Sequence, residues 1–196
     1  MKKILMLGTG LLFAGLTYAQ SPAFGIKAGV NIAKFAGDPD PNSEFNTGLS
    51  AGIFTNIPIS TGFSFEPSVE YSQKGAEWTT SGDNELKSRI SYIDVPLMAR
   101  LDLGSSFGIF AGPQVSFFVD QETELETGSG NTTWESSNDS YRKSLAGGKV
   151  GLSYNFGTVG VNASYATDFQ NLYKENSGNR DLKNQVINVG LAYSFK

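Results

Sequence analysis

Alternation between apolar and small or polar residues recurs eight times along the chain, and this feature restricts the fold most. The last run is representative: Ile187, Val189, Leu191, Tyr193 and Phe195 alternate with asparagine, glycine, alanine and serine. Successive side chains of a β-strand point to opposite faces of the sheet, so each run predicts a strand with one apolar face. No long stretch shows the apolar spacing of an amphipathic helix. The chain is therefore predicted to be all-β.

The connections between these strands alternate in length. The predicted strands lie within residues 24–32, 49–57, 63–71, 92–101, 107–119, 150–156, 159–165 and 186–196. Short connectors at 58–61, 102–106 and 157–158 alternate with long polar ones at 34–46, 75–89, 120–143 and 169–184, of which the third is acidic. An even number of strands, with short turns at one end and long loops at the other, is typical of outer-membrane barrels.

The composition of the polar face predicts which side of the sheet meets lipid. Glycine, serine and asparagine dominate that face, and such residues suit the inside of a narrow eight-stranded barrel better than a solvated wall. Strands of about 10–13 residues, tilted by about 40°, would cover roughly 25–33 Å along the barrel axis, which matches a hydrocarbon core. Aromatic residues near strand ends are expected to form interfacial girdles: Phe24, Phe63, Phe65, Phe156, Tyr165 and Phe195.

These observations predict an eight-stranded antiparallel up-and-down transmembrane β-barrel with its N- and C-termini at the periplasmic rim. An unpaired backbone group in hydrocarbon costs several kcal/mol, so the first and last strands are expected to pair and close the sheet. A soluble lipocalin-like barrel, with its apolar face turned inward around a ligand, is the alternative.

The N-terminus has the pattern of an export signal. Lys2 and Lys3 precede the apolar stretch at 4–16, and small residues allow cleavage after Ala19. A retained membrane helix is disfavoured, because about 13 apolar residues fall short of the roughly 20 needed to span a bilayer. Residues 1–19 are therefore expected to be a cleaved signal peptide, and residues 20–196 the outer-membrane barrel domain.

Composition excludes several classes of function. The chain contains no histidine and no cysteine, which rules out Ser-His-Asp hydrolases, His-ligated zinc sites and disulfides. Removal of Lys2 and Lys3 takes the formal net charge from −4 to −6, which disfavours nucleic-acid binding. We therefore expect no catalytic, cofactor-binding or metal-binding residues, and no cofactor.

Several stretches also match a known family. FGIKAGVNIAKF, FSFEPSVEYSQKG, YIDVPLMARL, FGIFAGPQVSFF and the terminal GLAYSF resemble the PorT-like, or porin-family, outer-membrane β-barrels of Gram-negative bacteria. The similarity covers essentially the whole mature chain. It implies an eight-stranded barrel in the outer membrane. The near-terminal aromatic Phe195 resembles the ending of chains that the barrel-insertion machinery recognises, although Lys196 follows it here.

Charged residues on the polar face form the candidate site. They are Lys27, Glu66, Glu70, Asp94, Arg100 and Lys149. A turn centred near residue 83 would place Glu66 opposite Arg100, whereas a slip of two residues would place Glu70 opposite Asp94. The functional interpretation is a paired-carboxylate site or a proton path. We favour an ion-pair network that neutralises charge in a tight lumen.

The sequence predicts a structural or interaction role rather than catalysis. Long loops on a rigid scaffold suit envelope integrity, adhesion or the docking of an envelope protein. A narrow channel for small solutes or ions is the alternative within the membrane. Expected partners are outer-membrane lipid and, during biogenesis, the barrel-insertion machinery, and we expect a monomer.

Overall fold

The computed structural model describes residues 22–38, 44–80, 84–127, 130–135, 142–173 and 181–195. The strands of these segments are β1 (Ala23–Asp38), β2 (Glu44–Ser60), β3 (Phe63–Thr80), β4 (Asn84–Leu103), β5 (Phe107–Thr127), β6 (Gly130–Glu135), β7 (Ser144–Phe156), β8 (Val159–Asp168) and β9 (Asp181–Phe195). No helix among the described residues is long and apolar enough to cross a membrane. The predicted signal peptide at 1–19 lies outside the described residues.

Eight of these strands close into a barrel by antiparallel pairing. The order around the wall is β1-β2-β3-β4-β5-β7-β8-β9, and β9 pairs with β1 from Phe24↔Phe195 to Asp38↔Asp181. This closure confirms the predicted eight-stranded barrel and its seam. In the described part of the chain β6 pairs with β5 alone, so it extends a hairpin beyond the wall.

The apolar face of the barrel points outward along every wall strand. Leu49, Ile53 and Leu191 are 63%, 62% and 58% exposed, although they are large aliphatic side chains. Their in-chain neighbours Gly48, Gly52 and Gly190 lie on the inner face, as the alternation predicts. This orientation is opposite to that of a lipocalin-like carrier and exposes an apolar band for contact with lipid.

The strands extend further than the sequence predicts. The 75–89 and 120–143 segments are not simple loops, because β3 continues to Thr80, β4 begins at Asn84 and β5 continues to Thr127 before pairing with β6. Likewise β1 runs to Asp38 and β9 begins at Asp181. The predicted strand length of 10–13 residues is therefore correct for β7 and β8, which have 13 and 10 residues, and wrong for the other six wall strands, which have 15 to 21 residues. Beyond the lipid-facing band the outer face meets water while part of the inner face packs into an apolar cluster, so the ladder continues without the apolar-out, polar-in alternation that reveals a strand.

The two ends of the barrel differ. At one rim, tight turns join β2 to β3, β4 to β5 and β7 to β8, and Ala23 and Phe195 lie at this rim as well. The turns contain Gly62 and Gly157 at φ 76° and 72°, where glycine avoids the steric cost of other residues. We call this end the short-turn rim. The opposite end carries the long hairpins and is called the hairpin rim.

Candidate functional site

Small residues inside the barrel make room for large ones on neighbouring strands. A Cβ atom on Gly25 would overlap the ring of Phe54, and one on Gly151 would overlap the ring of Phe110. The glycines of the inner face therefore provide the space that these inward-pointing rings occupy. This arrangement lets a narrow eight-stranded wall hold large inward-pointing side chains.

Glu70 on β3 is the centre of the lumenal charges. Its Oε1 atom lies 2.9 Å from the Nζ of Lys27 on β1, and its Oε2 atom accepts a 2.9 Å hydrogen bond from the Nζ of Lys149 on β7. Ser68 donates a further hydrogen bond of 2.7 Å to Oε1. Glu70 is buried, so these donors replace the water that the carboxylate has lost. The three charged residues connect strands on different sides of the wall.

Arg100 on β4 extends this network toward the short-turn rim. Its Nη1 atom lies 3.5 Å from Glu66 Oε2, and its Nε donates a 2.8 Å hydrogen bond to Asp102. Lys27 lies 3.9 Å from the other oxygen of Glu66. Glu66 therefore shares two cations, while Asp102 joins the network at a more exposed position.

The backbone register differs from the one expected first. Glu66 lies opposite Met98, not Arg100, and Glu70 lies opposite Asp94. The prediction that Glu66 faces Arg100 is therefore wrong, and the register shifted by two residues is correct. The reason is that the β3–β4 hairpin turns nearer residue 82 than 83, because Thr80 pairs with Asn84. The long Arg100 side chain still reaches Glu66 from the neighbouring position.

A second layer contains a cation that the sequence analysis missed. Lys74 on β3 donates hydrogen bonds to Asp94 at 3.0 Å and to the hydroxyl of Ser116 at 2.9 Å, and its Nζ lies 4.8 Å from the centre of the Tyr92 ring. Asp94 therefore pairs with Lys74 instead of with the other predicted residues. Continued alternation through Ser72 and Lys74 was the available signal, since the predicted strand ended at Tyr71.

A third group of buried polar residues lies beside this layer. Asn184 on β9 donates a 2.6 Å hydrogen bond to Asp168 at the end of β8. Gln114 on β5 donates to Ser116 at 3.3 Å. All of these side chains are buried. None of these residues belongs to the site predicted from the sequence.

An apolar cluster fills the lumen on the hairpin side of these layers. Its members are Phe35, Ala76, Ile90, Tyr92, Leu145, Leu172 and Leu182, with Phe118 and Tyr173 packed against them. Leu172 comes from the β8–β9 connection and not from a wall strand. Its backbone accepts a 2.9 Å bond from Arg142 N and donates a 2.8 Å bond to Leu182 O. We call this set the apolar plug.

A cavity of about 320 Å³ occupies the other half of the lumen. Its lining includes Lys27, Glu66, Glu70, Arg100 and Lys149, together with residues of the short-turn rim such as Gly104, Ser105 and Gly157. The cavity therefore opens at the short-turn rim and has the Glu70 network deep within it.

The geometry brings five of the six predicted residues together and places Asp94 in the adjacent layer. Each of Lys27, Lys74, Arg100 and Lys149 contacts a carboxylate, so these charges neutralise one another inside the wall. Within the described strands no set of three acidic side chains is arranged to hold a metal ion. The arrangement is suited to joining strands across the lumen.

Comparison with known proteins places this architecture in a family. A family model described as "Outer membrane protein beta-barrel domain" matches residues 18–174. No curated protein matches the chain significantly. Among solved structures, Neisserial surface protein A has a TM-score of 0.53 at 18% identity, and Ail of Yersinia pestis has 0.52 at 11% identity. Each alignment covers 90% of this chain and 100% of the other, and at these identities the likeness is one of fold.

The family match covers most of the chain, and the outward apolar band and the closed ladder are what a membrane barrel requires. The chain therefore belongs to the outer membrane protein beta-barrel domain family and is a β-barrel of the outer membrane of Gram-negative bacteria.

Proposed function

We propose that this protein is a non-catalytic, non-conducting barrel that acts through its long hairpins in envelope integrity, adhesion or the docking of an envelope component. One observation carries the proposal: the apolar plug fills the hairpin half of the lumen, while the sheet itself continues beyond the wall. The plug places packed apolar side chains across the hairpin half of the lumen, which opposes the passage of solutes, so the hairpins are the part of the molecule best placed to meet a partner.

The hairpins are unequal around the rim. β5 has 21 residues and β8 has 10, which is a difference of roughly 35 Å of extended chain. Strands β3, β4, β5 and β6 pair continuously above the wall, so this side carries a rigid projecting sheet. Its sequence is acidic, with Asp120, Glu122, Glu124, Glu126 and Glu135 on β5 and β6. Ail, of similar fold, is named an attachment invasion locus protein, which is compatible with a surface role here.

Shortening the β5–β6 hairpin tests this role directly. Residues 124–135 would be replaced by an Asn-Gly turn, which favours a tight hairpin. We expect the variant to keep its folded, heat-modifiable gel mobility and to lose partner cross-links formed in intact cells from a photoreactive residue at Asp120. A full-length variant with Glu122, Glu124 and Glu126 changed to glutamine separates charge from shape. Unchanged cross-links and surface phenotype in the shortened, folded variant would contradict the proposal.

A narrow channel is the second candidate, because the cavity of about 320 Å³ opens at the short-turn rim. The plug opposes this candidate, since seven buried apolar or aromatic residues lie between the cavity and the hairpin rim. Recording in planar bilayers separates the two functions, since only a channel would give conductance steps.

The remaining proposals concern biogenesis. We propose that the chain is of the PorT-like type, that residues 1–19 are removed on export, and that the barrel-insertion machinery recognises β9, which ends at Phe195. The short-turn rim would then face the periplasm, and the barrel would act as a monomer. Sequencing of the mature N-terminus should begin at Gln20, whereas a start at Met1 would refute the cleavage.

A further inference from the structure

We propose that the buried group formed by Gln114, Asp168 and Asn184 binds one monovalent alkali cation. The group lies between the Glu70 network and the apolar plug. It is distinct from the predicted ion-pair network and is independent of the proposed hairpin function.

The buried charges around Asp168 do not balance. Asp168, Asp94 and Lys74 are each at least 96% buried, and Lys74 and Asp94 are the charged groups that act most strongly on the Asp168 carboxylate. Lys74 already pairs with Asp94 at 3.0 Å. In the described part of the chain no cation lies within ion-pair distance of Asp168. The three charges therefore leave one negative charge in a site with little water, which is costly unless a cation compensates it.

The group also contains buried oxygen acceptors that receive no hydrogen bond. Gln114 Oε1 and Asn184 Oδ1 are buried atoms with no hydrogen-bond partner, and their residues are 3% and 1% exposed. The side-chain amide of Asn184 already donates a hydrogen bond to Asp168, and that of Gln114 donates one to Ser116. Unpaired buried oxygens are uncommon in native proteins and call for a ligand that accepts their lone pairs.

The backbone register brings these residues close together. Gln114 lies opposite Gly147, and Gly147 lies opposite Asp168. A Cβ atom on Gly147 would lie 3.1 Å from Asp168 Oδ1, so the absence of a side chain there leaves the carboxylate oxygen facing the space between β5 and β8. Asn184 borders the same space from β9.

The chemistry of the group selects the ion. Carboxylate and amide oxygens are ligands for hard cations, and the group contains no nitrogen or sulfur ligand for a transition metal. A single positive charge balances the single excess negative charge, whereas a divalent ion would leave an excess of the opposite sign. A proton on Asp168 would also balance the charge, but it would satisfy only one of the unpaired oxygens.

Equilibrium dialysis of the folded protein in uncharged detergent, with radioactive sodium and with rubidium in place of potassium, tests the proposal. We expect saturable binding of one ion per folded barrel and none to the heat-unfolded protein. The thermal midpoint should rise in sodium or potassium chloride relative to N-methylglucamine chloride of equal ionic strength. No saturable binding to the folded wild type would overturn the proposal and leave the proton as the compensating charge.

Variants locate the ion. Asp168→Asn is nearly isosteric and should abolish both the binding and the cation-dependent shift, and Gln114→Leu should weaken binding roughly tenfold through loss of one ligand. Asp102→Asn is the matched control, since Asp102 also faces the lumen but already pairs with Arg100 at 2.8 Å. Equal binding by wild type and Asp168→Asn would refute this site. If Asp168→Asn does not fold, wild-type stoichiometry and Gln114→Leu still decide.

Discussion

Glu70 is the residue on which the lumenal charges depend most. Two lysines approach it at 2.9 Å from β1 and β7, whereas the contacts of Glu66 with Arg100 and Lys27 are 3.5 and 3.9 Å. Removal of one partner from a buried ion pair leaves the other charge uncompensated, so Glu70 and its two lysines depend on one another. A single inner residue thus links strands that are not neighbours in the wall.

Glu70→Gln should therefore destabilise the barrel by roughly 3–5 kcal/mol, because it leaves Lys27 and Lys149 buried near an uncharged amide. Urea titration of the folded gel band in detergent measures the change. Glu66→Gln is the matched control and should cost clearly less, because its ion-pair contacts are longer. Equal losses for the two variants would show that Glu70 has no special place in the network.

Leu172 gives a second prediction at this scale. Leu172→Ala removes a fully buried side chain from the plug and should lower the free energy of unfolding by about 2–5 kcal/mol. Leu191→Ala is the control, since Leu191 faces lipid, where truncation leaves no internal cavity. If thermal or urea midpoints fall equally in both variants, Leu172 is not part of a packed plug.

At the scale of elements, β9 closes the wall by pairing with β1 and β8 along its length. The outward-facing side chains of β9 point toward lipid. Val189 is six residues from the short-turn end of β9, which places it roughly 15 Å from the rim and near the bilayer midplane.

Val189→Arg should cost about 2–4 kcal/mol of folding stability in lipid vesicles, because it places a cation at the centre of the hydrocarbon. Thr47→Arg, outward on β2 but closer to the hairpin rim, should cost only about 0–1 kcal/mol. Unfolding titrations in vesicles compare the two. A reversed order of the two costs would mean that the depth assigned to these positions is wrong.

The wall strands could be predicted because lipid on one side and a narrow lumen on the other impose a strict alternation on them. The sequence did not predict the inward positions of Lys74, Phe35 and Ile90, because these residues lie beyond the lipid-facing runs, where that alternation weakens. In the plug the inner face becomes apolar, so the rule that polar residues point inward fails there. The sequence left two registers open for β3 and β4, two residues apart, because a pattern of period two does not fix the position of a hairpin's turn.

For the whole molecule, the lumen is open at the short-turn rim and closed by the apolar plug toward the hairpin rim. Water can reach the Glu70 network from the short-turn rim through the cavity, and the plug separates this cavity from the hairpin rim. The projecting sheet of β3–β6 rises on one side of the closed end. A closed lumen and an exposed sheet together favour interaction over transport.

Planar-bilayer recording should accordingly show no conductance steps for the wild-type barrel, because an ion crosses a layer of packed apolar side chains only at a large cost in free energy. The heat-modifiable gel mobility of the protein should first show that the inserted barrel is folded. Regular, voltage-independent steps from verified protein would favour the channel over the proposed interaction role.

The outward direction of the apolar face is tested most directly on β9, because the chain has no native cysteine. Single cysteines at residues 187, 189 and 191, and at the cavity-lining residues 188, 192 and 194, would carry nitroxide labels in lipid vesicles. Labels at the odd-numbered residues should collide mainly with oxygen dissolved in the bilayer. Labels at the even-numbered residues should collide less with oxygen and more with a water-soluble nickel reagent. Nickel-accessible labels at 187, 189 and 191, or no two-residue period, would contradict a lipid-facing wall.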